Sequence, residues 1–149
     1  MSQIIRVLFI CQHNSGRSQI AEAYLRHFAG ETFEVESAGF EPTDSVNPLV
    51  IEVMKEEGFD LSDKKPQSVF ELFKQGKLYQ HVITVCQDGE EKCPIFPGIT
   101  KRWHMPFPDP VQVSGDNIEQ KQFVRNIRDN IKDWLENPPM NSFNYKKFL

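Results

Sequence analysis

The stretch Ile4-Ile5-Arg6-Val7-Leu8-Phe9-Ile10-Cys11-Gln12-His13-Asn14-Ser15-Gly16-Arg17-Ser18-Gln19-Ile20 decides how the chain is read. Ile4 to Ile10 is apolar apart from Arg6 and rich in β-branched residues, the pattern of a central strand buried on both faces. Cys11 stands at its carboxyl end. A short polar turn follows, and then Ile20, Tyr24 and Phe28 recur every four residues with Ala21 and Leu25 beside them, tracing one apolar helical face. Strand, turn and helix in this order open a βαβ unit.

Phe33 to Gly39 alternates Phe33, Val35 and Ser37 on one side and predicts a second strand. Asn47 is placed to cap a helix with Pro48 at its first position, closed by Gly58. Ser68 to Gln75 reads as a short helix stopped by Gly76. His81 to Val85 gives a third buried strand ending at Cys86, and Thr100 to His104 a fourth. Three prolines keep Met105 to Gly115 out of regular structure. Phe123, Val124, Ile127, Ile131, Trp134 and Leu135 then mark a long helix that Pro138 and Pro139 end. The tail beyond about residue 137 carries Phe143, Tyr145 and Phe148, and the sequence alone leaves open whether it docks or stays loose.

Strands alternating with helices imply an α/β fold in three layers, a four-stranded parallel sheet with helices on both faces. A chain of 149 residues is expected to form one domain, 1–149. Seventeen Lys+Arg against 21 Asp+Glu leave a net charge of −4 without a basic stripe, which excludes a nucleic-acid surface. The apolar run near the start is too short to span a membrane and lacks a signal-peptide cleavage pattern, so the expected location is cytoplasmic. In that compartment the three cysteines are thiols unless a catalytic cycle oxidises them. In parallel sheets ligands sit outside the carboxyl ends of the strands, where Cys11 and Cys86 both fall.

Cys11 and Arg17 are separated by five residues, and position rather than spacing gives the pair its weight. A loop of this length between strand and helix can curl so that backbone N–H groups point inward, with the positive end of the helix behind them. A tetrahedral oxyanion fits such a cradle, made by Gln12, His13, Asn14, Ser15, Gly16 and Ser18. Arg17 adds a planar fork able to hold two oxygens. The same donors favour the Cys11 thiolate. Asn14 and Gly16 tolerate left-handed backbone, and Ser18 is placed to cap the helix and reach the sulfur. His13 can tune the thiolate, face solvent or fill the rim, and is assigned to binding. The plain alternative is a buried inert cysteine ahead of a helix.

Val7-Leu8-Phe9-Ile10-Cys11 through Arg17-Ser18-Gln19-Ile20-Ala21-Glu22 resembles the loop shared by low-molecular-weight tyrosine phosphatases and thioredoxin-coupled arsenate reductases. The resemblance runs from about Ile5 to Leu135 and includes Glu36-Ser37-Ala38-Gly39, Asn47-Pro48, Val82 to Cys86, Cys93-Pro94 and Asp109-Pro110. Gln19 is similar to the reductase branch, where phosphatases usually carry proline. Val111 and Gln112 stand where tyrosine phosphatases usually have aromatic residues. His13 and Gly16 depart from the commonest loop. The resemblance implies a low-molecular-weight-phosphatase-like fold, Cys11 as nucleophile and Asp109 as general acid. Taken alone, Asp109 also reads as a turn aspartate before proline.

A phosphatase needs one cysteine, whereas a reductase must send two electrons' worth of oxidation elsewhere. After Cys11 attacks arsenate, a second thiol attacks the Cys11 sulfur and a third frees it through a new disulfide. Cys86 and Cys93 resemble that redox segment. Held as a helix, their spacing would part the Cα atoms by roughly 10 Å against the ~7 Å a disulfide tolerates, so oxidation is expected to unwind the segment. The resemblance implies arsenate as substrate, thioredoxin as electron donor, and phosphate or sulfate as competing ions. No metal or organic cofactor is expected. Burial alone, or zinc held with His104, are the other readings of Cys86 and Cys93. The rival functions are a tyrosine phosphatase and a non-enzymatic oxyanion-binding or redox-sensing module.

Overall fold

The computed structural model describes residues 4–87, 100–111 and 115–149. Four strands, β1 (Ile5–Cys11), β2 (Phe33–Gly39), β3 (His81–Thr84) and β4 (Lys101–His104), form one sheet in the order β2-β1-β3-β4. Every pairing is parallel. Val7 to Ile10 are wholly buried, and since successive side chains point to opposite faces, both faces of the sheet are covered. This is the arrangement expected from the unbroken apolar run.

Helix α1 (Arg17–Ala29) lies between β1 and β2, α2 (Pro48–Lys55) and α3 (Val69–Lys74) lie between β2 and β3, and α4 (Asn117–Glu136) follows β4. Helix α4 buries Val124, Ile127, Ile131, Trp134 and Leu135, and Trp134 meets Phe9 of β1 edge-on at 6.4 Å. Asn47 caps α2 as expected, its side chain accepting from Leu49 N at 2.9 Å ahead of Pro48. Ser68 caps α3 by accepting from Glu71 N. Glu56, just beyond α2, is drawn down to about 2 by hydrogen bonds from Arg125 and Arg128 of α4. Among the described residues no helix is long and apolar enough to cross a membrane.

Two strand limits differ from the sequence reading. β3 ends at Thr84 rather than at Val85: the ladder to β4 runs through Met105 N on the Thr84 carbonyl, and the next bond, Phe107 N to the Val85 carbonyl, is out of its two-residue step. β4 begins at Lys101, and the hydroxyl of Thr100 is spent instead on the Tyr79 carbonyl at 2.7 Å.

The tail docks. Its 3-10 turn (Tyr145–Phe148) follows the fully buried Phe143, whose ring lies 5.2 Å from His81, 6.1 Å from Trp103 and 6.2 Å from Phe33. Trp103 Nε1–H donates to His81 Nδ1 at 3.1 Å, so that ring is neutral with its hydrogen on Nε2. Burial, and then the charge of Lys101, hold the His81 pKa below the ordinary imidazole value. The unfolded chain therefore takes up the proton first. Its contribution to stability is complete above an unperturbed imidazole's pKa of about 6.5 and is lost as pH falls toward the depressed folded value. Urea midpoints compared between pH 7.5 and 5.5 are expected to fall more steeply for the wild-type protein than for His81→Asn, which keeps an acceptor for Trp103. Parallel slopes would remove His81 as the cause.

Candidate active site

The loop between β1 and α1 is shaped by where its carbonyl oxygens go. Those of Cys11, Gln12, His13 and Ser15 accept from the backbone N–H groups of Phe40, Glu41, Thr43 and Asn47 at 2.8–3.2 Å. The Asn14 carbonyl accepts from Gln19 Nε2 at 3.1 Å, and that of Gly16 from Ile20 N at 3.0 Å. All six carbonyls from residue 11 to 16 are thus tied away from the hollow of the loop. None of these peptides is cis, so each planar unit sends the next N–H the opposite way. The amides of residues 12–17 turn inward. Asn14 N–H shows it directly, pointing at the Cys11 sulfur at 3.2 Å.

Asn14 takes the left-handed backbone the curl needs, with φ of 54°. Its fully buried side chain then pins the loop from behind. Nδ2 donates to Ser18 Oγ at 2.8 Å and Ser37 Oγ at 2.9 Å, while Oδ1 accepts from Gln67 N at 2.9 Å and Gln19 Nε2 at 3.2 Å. Ser37 in turn donates to Glu22 at 2.7 Å, a carboxylate 3% exposed and paired with Lys64 at 2.6 Å and Arg26 at 2.9 Å. Gly39 closes the back of the loop, where a Cβ would lie 2.8 Å from Asn14 N and His13 C.

Two expectations for the loop are corrected. Gly16 is not left-handed, with φ of −147°; its lack of a side chain instead admits Pro110, whose Cγ would sit 3.1 Å from a Cβ there. Ser18 does not cap α1, which begins at Arg17 with no side-chain cap, because its hydroxyl lies 2.9 Å from the Cys11 sulfur.

A cleft open to solvent is lined by Cys11, His13, Ser15, Gly16 and Arg17 of the loop, by Asn47 ahead of α2, and by Asp109, Pro110 and Val111 of the loop after β4. Arg17 is buried, and its Nη1 donates to the Phe107 carbonyl at 3.0 Å, which fixes the guanidinium against the loop that carries Asp109. Asp109 accepts from Val111 N at 3.0 Å in the turn expected before proline. Val111, 63% exposed, leaves the lip of the cleft without an aromatic ring at that position. Gln12 points elsewhere, donating to Glu41 at 2.6 Å, whereas His13 lines the cleft with Nδ1 on the Glu41 carbonyl at 2.8 Å.

Cys86 is buried two residues past the register pair Ile10↔Thr84, and Cys11 lies one residue past it on the adjacent strand. Cys93 and Gln112 lie outside the described residues. Among the described residues no cluster of His, Cys, Asp and Glu has the makeup of a metal site.

Sequence reasoning missed Asn47 and Pro110 as cleft residues, and Glu22, Ser37 and Gln67 as the brace behind the loop. A signal for part of the brace was present: Ser18, Glu22 and Arg26 recur at the four-residue spacing that aligns them along one side of α1.

A cysteine on an amide-lined loop thus shares one cleft, at the carboxyl ends of a parallel sheet, with a buried arginine and an aspartate. The profile of the low molecular weight phosphotyrosine protein phosphatase family matches residues 6–141, and the chain belongs to that family. Relatives within it include an arsenate reductase of Bacillus subtilis, 34% identical over 131 residues that cover 87% of this chain and 91% of that one. Arsenate reductase 2 of Staphylococcus saprophyticus is 39% identical over 133 residues, covering 88% and 96%. Among solved structures, the thioredoxin-dependent arsenate reductase of Corynebacterium glutamicum superposes with a TM-score of 0.63 at 33% identity. That match spans 91% of this chain but 62% of that one. The expected family and fold are thereby borne out.

Proposed function

We propose that this protein reduces arsenate to arsenite in the cytoplasm, as an arsenic-detoxifying enzyme that thioredoxin returns to its dithiol state. The observation that carries the reading is the setting of Cys11: its sulfur meets Asn14 N–H and the Ser18 hydroxyl beneath an inward-facing ring of amides, with Cys86 just beyond the paired end of the adjacent strand. The names of the reductase relatives support it.

In this reading Cys11 thiolate attacks arsenic, and an arsenate oxygen leaves as water on taking a proton from Asp109. Arg17 and the amides hold the remaining oxygens. Cys86 thiolate then attacks the Cys11 sulfur; the S–As bonding pair stays with arsenic, which departs as arsenite, and a Cys11–Cys86 disulfide forms. Cys93 attacks Cys86, releasing Cys11 as thiolate and leaving a Cys86–Cys93 disulfide. A dithiol donor supplies the two electrons that close the cycle.

The test is a reconstituted assay with thioredoxin, thioredoxin reductase and NADPH. Oxidation of NADPH is expected to require arsenate, this protein and thioredoxin together, with one arsenite formed per NADPH consumed. Arsenate-independent oxidation, or none under any donor dithiol, would reject the reading.

A further inference from the structure

The ring of His13 has one nitrogen already committed. Its Nδ1 lies 2.8 Å from the Glu41 carbonyl oxygen, and a carbonyl oxygen only accepts, so Nδ1 carries hydrogen whether the ring is neutral or charged. The titrating atom is therefore Nε2. It is a bare lone pair in the neutral ring and an N–H donor in the imidazolium. The half-buried ring lines the same cleft as Cys11, Arg17 and Asp109, and no described residue hydrogen-bonds Nε2.

Tetrahedral oxyanions meet such an atom in two ways. Arsenate and phosphate still carry an O–H as dianions near neutral pH, which a bare Nε2 accepts. Sulfate has only bare oxygens, which a lone pair repels and an N–H attracts. We infer that His13 Nε2 is a specificity-determining contact that shares one proton with the bound ion, so that the site distinguishes hydrogen-bearing oxyanions from fully deprotonated ones. The inference deepens, and rests on, the reading of the cleft as an oxyanion site.

Other charged groups face the ring: Cys11, Arg17 and Asp109 across the cleft, and the Glu41 carboxylate, which takes Gln12 Nε2 at 2.6 Å. An anionic Asp109 or Cys11 sorts the two ions in the same sense as the ring, but is present in wild type and variant alike. A comparison of the two ions, with and without Nε2, therefore isolates the ring.

His13→Asn keeps an amide N–H for the Glu41 carbonyl and deletes Nε2. Titration calorimetry with sulfate and with inorganic phosphate, in buffers of different ionisation heat, counts the protons taken up on binding. On the alkaline side of the ring's own titration, followed by NMR, the wild-type protein is expected to take up about one more proton per sulfate than the variant, and no more per phosphate. Its sulfate affinity is expected to drop by up to about tenfold per pH unit relative to the variant. Equal proton counts for sulfate overturn the inference. So does an NMR spectrum of the free protein that places the neutral ring's hydrogen on Nε2, a result independent of how the variant folds. Absence of heat with both ions would instead reject the oxyanion reading of the cleft, and this inference with it.

Discussion

Serine in place of Cys86 is expected to stop arsenate turnover, by about a thousandfold or more, while hydrolysis of an artificial aryl phosphate stays within a few-fold of wild type. A hydroxyl cannot attack sulfur at neutral pH, so the arsenic adduct on Cys11 has no route to arsenite. Phosphoryl transfer asks nothing of residue 86, because water completes that cycle once Cys11 has reacted and Asp109 has protonated the leaving oxygen. The substitution is close to isosteric at a buried position, so it opens no cavity, and the structural cost left is that of burying a hydroxyl. The check is the arsenate-dependent NADPH assay run beside release of a chromogenic phenol. Equal loss of both activities would mean that Cys86 supports the fold rather than the redox step. Retention of both would place the second thiol elsewhere.

Asn14→Ala is expected to destabilise the protein by about 2–5 kcal/mol, a sum of two physical terms. Alanine in left-handed backbone costs about 1–2 kcal/mol. Removing the amide also strands Gln67 N–H, whereas Gln19 Nε2 keeps the Asn14 carbonyl; an unpaired buried donor costs about 1–3 kcal/mol. Asn14→Gly separates the terms, because glycine restores the backbone freedom and not the hydrogen bonds. Urea denaturation of the three proteins is expected to rank wild type above Asn14→Gly and Asn14→Ala lowest. An alanine variant within about 0.5 kcal/mol of wild type would show that the bonds behind the loop hold little, since that is the range of an ordinary surface change.

Much of this was readable from residues alone, and the reasons are physical. A run buried on both faces has to be continuously apolar, so Val7 to Ile10 announced the central strand. A helix start has to satisfy its first amides, so Asn47-Pro48 announced α2, while α3 was marked by its stop at Gly76. The loop was legible because Asn14 is one of few side chains that accept its backbone. Gly16 was assigned the wrong duty because its place is fixed by Pro110, distant in sequence, which local propensity does not see; Ser18 reaches the Cys11 sulfur as expected and only its capping role fails. The spacing of Ser18, Glu22 and Arg26 marked a shared side of α1 but not the burial of Glu22. A carboxylate amid Ala21 and Ala23 reads as a solvent-facing residue until Lys64 and Ser37 are brought beside it. The docked tail could not be read because Phe143 finds its place only after β3 and β4 have set His81 and Trp103 in register.

The outward-tied carbonyls of residues 11–16 have a bearing on how the proposed enzyme would choose its substrate. A cradle braced before any ion arrives senses outline and charge, in which arsenate and phosphate are near twins. Selection must then fall after capture. Phosphate would come and go as a reversible tenant, whereas arsenic, once bonded to sulfur, accepts electrons that phosphorus refuses. On this view fidelity is a matter of which visitor can be committed, and an abundant phosphate pool would slow the enzyme without ever being mistaken for its substrate.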